Sequence, residues 1–118
     1  VEKSKTIGDC YMCASIPNAE ATSEAAKQMC ATQALRVCIG MHTTVLKYTL
    51  NRMDLRVRAG MDCGSVIAGI IGKTKFCYDI WGDAVNMASR MESTGIPGKT
   101  QVTDRVHSLL AGSFEFTI

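Results

Sequence analysis

Apolar and polar positions change their spacing several times along the 118-residue chain, and each change marks a predicted element. Residues Val1–Ser15, "VEKSKTIGDCYMCAS", divide into two short strands around Gly8-Asp9, a dipeptide suited to a tight hairpin. Residues Pro17–Asn51 are rich in helix formers. At helical spacing Ala26, Met29, Gln33, Val37, Gly40/Met41 and Val45 form a rough stripe, and Gly40 and Thr43-Thr44 are expected to weaken the helix. "LRVRAGMDCG" then alternates. Leu55, Val57, Ala59 and Met61 share one face, and Arg56, Arg58 and Asp62 share the other, which predicts a half-buried strand. "SVIAGIIG" and "KFCYDIW" are apolar runs joined at Gly72-Lys73-Thr74, and they read as neighbouring antiparallel strands. Gly82-Asp83 opens a second helix, which Gly95 and Pro97 close. On it Ala84, Val85, Met87, Ala88 and Met91 gather on one side, with Asp83, Asn86, Ser89, Arg90 and Ser93 on the other. "TQVTDRVHSLLAG" predicts a strand and a short helix capped near Thr103-Asp104, and "SFEFTI" begins a last strand. The order ββ-α-βββ-α-β-α-β is that of an α+β domain, an antiparallel-rich sheet with packed helices.

Composition narrows the class without choosing a function. With 47% hydrophobic and 20% charged residues, the chain has the make-up of an ordinary globular domain, long enough to bury a core. A net charge of +2 gives no reason to expect a nucleic-acid or membrane partner. No apolar run approaches the roughly 20 residues that span a bilayer. Cys10, Cys13, Cys30, Cys38, Cys63 and Cys77 occupy apolar surroundings without a framework spacing. Cys10 and Cys13 form a C-x-x-C with no partner pair, so buried, reduced thiols in an intracellular compartment are expected.

Several residues could carry chemistry, and each has a plainer reading. "GIIGKT" (Gly69–Thr74) ends like a phosphate loop, but the position five before Gly72 is Ile67 and a strand follows, so a hairpin turn is the better reading. Asp9 at a hairpin tip is a common turn former, yet it is also well placed to meet a divalent cation. Asn86 and Arg90 lie one turn apart on a polar helix face. That face could be mere solvated surface, but Arg offers a planar fork of donors for phosphate and Asn an amide for a ribose oxygen. Lys5 and Asp79, taken singly, are ordinary strand charges.

Taken together, "KTIGDCYM", "AGIIG", "YDIWGDAVNMASRMESTG" and "QVT" closely resemble the catalytic domain of class III nucleotide cyclases, the adenylyl and guanylyl cyclases. The likeness runs over nearly the whole chain and is weakest in the long first helix. It implies a ferredoxin-like cyclase fold and a reaction in which the ribose 3′-oxygen attacks the α-phosphate and expels pyrophosphate, assisted by two Mg²⁺ or Mn²⁺ ions. Asp9 matches one of two metal-binding aspartates, Arg90 the residue that stabilises charge on the α-phosphate, and Asn86 the residue that orients the ribose. Lys5 and Asp79 match the positions that read the base. Adenine presents a donor at N6 and an acceptor at N1, and guanine reverses both. An acceptor-only Asp79 and a donor-only Lys5 therefore suit ATP, whereas guanylyl cyclases of this kind carry Glu and a small residue such as Cys there.

The resemblance also implies a site between two catalytic domains. Since one chain carries Asp9, Lys5, Asp79, Asn86 and Arg90, a head-to-tail homodimer with a second cyclase domain is expected. The family's first metal aspartate precedes Val1, and its phosphate-binding lysine follows Ile118. Residues 1–118 are thus expected to be part of a catalytic domain, inactive alone, within a protein whose cyclase domain faces the cytosol even where a membrane anchor exists. Two other readings stand beside it. One is a guanylyl cyclase, and the other is a cyclase-like module that has lost catalysis and serves dimerisation or regulation.

Overall fold

A computed structural model of the chain describes residues 2–16, 23–48, 55–71 and 77–117. Strand β1 (Glu2–Ile7) turns through Gly8-Asp9 into β2 (Cys10–Ala14), with Ile7 opposite Cys10. Gly8 sits at φ 58°, the left-handed conformation that a two-residue hairpin loop of this kind requires. The expected hairpin is present. Helix α1 (Glu24–Tyr48) follows, then β3 (Ala59–Met61), β4 (Ile67–Ile71), β5 (Cys77–Trp81), α2 (Asp83–Ser93), β6 (Thr100–Val102) and α3 (Asp104–Leu110). β1 pairs with β2 and β4 with β5, both antiparallel, while β3 pairs with β6 in parallel.

The buried core lies where α1 and α3 cover β3. Ala31, Leu35, Met61, Val106 and Leu110 form it, with Val102, Phe114 and Phe116 packed against its edge. Val106 and Leu110 are fully buried and lie four residues apart, so one face of α3 supplies the centre. Gln28 Nε2 donates to the Leu109 carbonyl at 3.2 Å, tying α1 to the end of α3. At the other end of α3, the wholly buried Asp62 carboxylate accepts from Thr103 Oγ1 and the Arg105 guanidinium. Thr103 is the N-cap residue of α3, as expected; its hydroxyl is committed to Asp62, and it makes no side-chain cap bond.

Other expectations need correction. α1 does not weaken at Gly40 or Thr43-Thr44. Thr43 Oγ1 donates to the Ile39 carbonyl one turn back, so its hydroxyl bonds within the helix. Its inward face is set by Ala31 and Leu35, whereas Met29 and Gln33 of the expected stripe are exposed. Ala26, Val37, Met41 and Val45 of that stripe are half-buried, so periodicity found part of the inward side and missed its centre. The strand expected over 55–64 shrinks to Ala59–Met61. No strand forms among residues 114–117, where Phe114 and Phe116 turn back onto the core instead. The thiols are less buried than expected: Cys10 is exposed, and Cys13, Cys30, Cys38 and Cys63 are half-buried and free. The turn at Gly72-Lys73-Thr74 lies outside the described residues.

Candidate active site

Helix α2 carries the first pair of candidate residues. Its start is fixed by Gly82 at φ 149°, a conformation open to glycine, where a Cβ would also press on Ser65 O at 2.9 Å. The Gly82 carbonyl accepts from the Val85 and Asn86 amides and sets the first turn. Ala84 is buried, and Val85, Met87, Ala88 and Met91 are half-buried. Asp83, Asn86, Ser89, Arg90 and Ser93 are exposed. The two faces therefore divide as the periodicity predicts, and Asn86 and Arg90 point outward from a helix seated firmly behind them.

The seat is the β3–β6 pair. Gly60 and Gln101 are partners in its register. A methyl group at Gly60 would overlap the α2 backbone at Ala88, Met91 and Glu92, so the helix lies directly on the strand. Arg58 Nε donates to Glu92 Oε1 at 2.9 Å and closes the flank.

Lys5 and Asp79 sit on adjoining strands. β1 and β5 approach within 8 Å between Cα atoms, although they do not pair as a ladder. In β1, Lys3 faces Cys13 and Lys5 faces Met12, so Ser4 is an extra residue, a β-bulge. Cys13 and Met12 point to opposite sides of β2, and the bulge therefore sends Lys3 and Lys5 to opposite faces. Lys3 Nζ lies 5.9 Å from the centre of the Tyr11 ring, while Lys5 is half-buried on the other side. Alternation along "EKSKTI" would have put both lysines on one face. Nothing in the spacing signals the bulge. Asp79 is opposite Gly69 in the β4–β5 ladder; its own side chain lies outside the described part of the structure.

Asp9 is exposed at the hairpin tip. As an acceptor-only carboxylate it can serve as one ligand of a hard divalent cation. Among the described residues no group of three or more His, Cys, Asp or Glu side chains gathers closely enough to hold a metal, so Asp9 offers one ligand rather than a complete centre. A shallow cleft of about 750 Å³ opens between α1 and α3, but none of the five candidate residues lines it. Among the described residues, no helix is long and apolar enough to cross a membrane.

The geometry agrees with known proteins. A family model described as the adenylate and guanylate cyclase catalytic domain matches residues 1–118. A germination-specific adenylate cyclase of Dictyostelium discoideum is 41% identical over 99% of this chain and 13% of its own length. A receptor-type guanylate cyclase of Caenorhabditis elegans is 36% identical over 93% of this chain and 10% of its own length. Among solved structures, the guanylate cyclase domain of a Catenaria anguillulae protein, crystallised with GTP, superposes with a TM-score of 0.78 at 27% identity. That match covers 97% of this chain and 60% of the solved one. The chain thus spans about three-fifths of that domain and a small part of the relatives. By sequence and by fold, it belongs to the class III adenylyl and guanylyl cyclase catalytic-domain family.

Proposed function

We propose that the chain is the catalytic part of an adenylyl cyclase, converting ATP to cyclic AMP and pyrophosphate for intracellular signalling. The observation that carries this reading is the placement of a donor-only lysine, Lys5, and an acceptor-only aspartate, Asp79, on adjoining strands β1 and β5. Adenine needs an acceptor for N6 and a donor for N1, and those two side chains offer that pairing. Guanine would set donor against donor and acceptor against acceptor.

On this reading α2 does the positioning. Asn86 holds a ribose oxygen so that the 3′-oxygen lies in line with the α-phosphate, which converts binding into orientation. Arg90, one turn on, directs its guanidinium at the α-phosphate oxygens, where negative charge grows as the new bond forms and pyrophosphate departs. Two divalent cations, when bound, would neutralise the phosphates and favour ionisation of the 3′-hydroxyl. Asp9 is the ligand this chain offers them, and their remaining ligands would come from elsewhere. Since Asp9 and the Asn86/Arg90 face occur on one chain, two copies placed head to tail would complete two equivalent sites.

The test uses the full-length protein with ATP or GTP and Mg²⁺ or Mn²⁺, the cyclic product being separated and quantified. Cyclic AMP from ATP is expected, with Arg90→Ala lowering turnover by about 10²–10³-fold, the usual cost of removing one charge-stabilising donor. Cyclic GMP as the main product would support the guanylyl cyclase reading. No cyclic product from a folded protein would instead support the regulatory module.

A further inference from the structure

The last turn of α2 is held by a side chain from another element. Gln101 Nε2, on β6, donates to the Met91 carbonyl at 3.3 Å and to Thr94 Oγ1 at 2.8 Å. Thr94 Oγ1 in turn donates to the Arg90 carbonyl at 2.6 Å, which also receives the Thr94 amide at 2.9 Å. In the last turn of α2 the Met91 carbonyl accepts from the sheet through Gln101, while the Arg90 carbonyl, already bonded to the Thr94 amide, accepts from the Thr94 hydroxyl and also from Ser93 Oγ at 3.2 Å. Gly95 leaves room for this relay from Gln101 through Thr94, since a Cβ there would press on the Met91 carbonyl at 2.8 Å.

The relay leads to the residue proposed to meet the phosphate. A hydroxyl has one hydrogen. With Gln101 donating to its oxygen, the Thr94 hydroxyl is oriented to spend that hydrogen on Arg90. Gln101 is also the register partner of Gly60, on which the helix rests. One strand position sets how close α2 comes to the sheet, and its partner sets how the final turn is rotated. We propose that Gln101, acting through Thr94, is a positioning residue for Arg90: it fixes the backbone from which the guanidinium reaches the α-phosphate. This rests on the cyclase reading above and adds a residue that touches no substrate.

The experiment compares full-length wild-type protein with Gln101→Met, which keeps the shape and removes the donor, and with Thr94→Val and Thr94→Ser. Each is also made in an Arg90→Ala background. Because displacements near 1 Å can cost up to about a hundredfold in rate, Gln101→Met and Thr94→Val should each lower kcat by roughly tenfold or more. KM should change less than about twofold, and Thr94→Ser, which keeps the hydroxyl, should match wild type. In the Arg90→Ala background the same changes should cost almost nothing further, because the residue they position is gone. A general structural role predicts the reverse: the same fold-loss in both backgrounds, or a loss of kcat that tracks a loss of melting temperature across Gln101→Met and the more exposed Thr94→Val. Either of those results, or unchanged kcat in an active protein, overturns the assignment. A wild-type protein that turns over no nucleotide would overturn the cyclase reading, so the two failures are told apart.

Discussion

The proposed base choice rests on two side chains, Lys5 and Asp79, whose hydrogen-bonding capacity is fixed by their charge. If Lys5 and Asp79 read adenine, replacing them together by Lys5→Glu and Asp79→Cys should move the preference from ATP toward GTP. Each polar pairing with a base edge is worth about 1–3 kcal/mol, so the ratio of kcat/KM values for the two nucleotides should shift by at least tenfold. A second residue-scale expectation concerns His42. Its Nε2 shares a 2.8 Å hydrogen bond with Thr100 Oγ1, its Nδ1 is buried without a partner, and burial pushes its pKa below the ordinary value. The folded state therefore disfavours the charged imidazole relative to the unfolded chain, in which histidine titrates near pH 6.5. The stability it contributes is fully present above about pH 6.5 and declines as pH falls below that toward the lowered folded value. Thermal melting should occur at lower temperature at pH 5 than at pH 7.5, with the difference reduced in His42→Gln. The exposure of Asp9, Asn86 and Arg90 was legible from the sequence because turn chemistry and helical periodicity dictate it. The separation of Lys3 from Lys5 was not. A bulge depends on how two strands register, which no local pattern in "EKSKTI" reports.

At the scale of elements, α2 shows why some helices can be read in advance and others cannot. Its apolar and polar residues fall on opposite sides, so one periodicity fixes both what it buries and what it presents. α1 has no such division. Ala31 and Leu35 face the core, but Met29, Ile39 and Leu46 are as apolar and remain exposed. Contact with β3 and α3 decides between these faces, and that contact is not local. The close approach of α2 to β3 likewise depends on a single residue. Gly60→Ala would drive a methyl group into three backbone positions of the helix, and overpacking of this kind costs about 1–3 kcal/mol. Denaturant unfolding should show that loss, and nucleotide turnover should fall with it because Asn86 and Arg90 ride on the displaced helix. Unchanged stability in Gly60→Ala would mean that the helix can lift from the strand without cost.

Over the whole molecule, the α+β class and the element order up to α3 were readable. That residues 114–117 form no strand and that β3 is short were not, since both depend on pairing partners. The parallel β3–β6 pair joins residues forty-one apart in sequence, as with Gly60 and Gln101, and only the folded chain shows it. The molecule also exposes apolar surface next to a candidate residue. Ile67 pairs with Trp81 in the β4–β5 ladder, two residues along the strand from Asp79, and the two are 72% and 40% exposed. If a second copy completes the site, this surface is a place for it to pack. Ile67→Glu should then lower turnover most at low protein concentration and recover at high concentration, where mass action restores the dimer. An equal loss at every concentration would place Ile67 outside the interface. The central proposal is that the full-length protein to which this catalytic part belongs cyclises ATP, and the most direct measurement puts that protein with equimolar ATP and GTP in one reaction and separates the cyclic products. Cyclic AMP should dominate. Predominant cyclic GMP, or no cyclic product from a folded protein, would contradict the account.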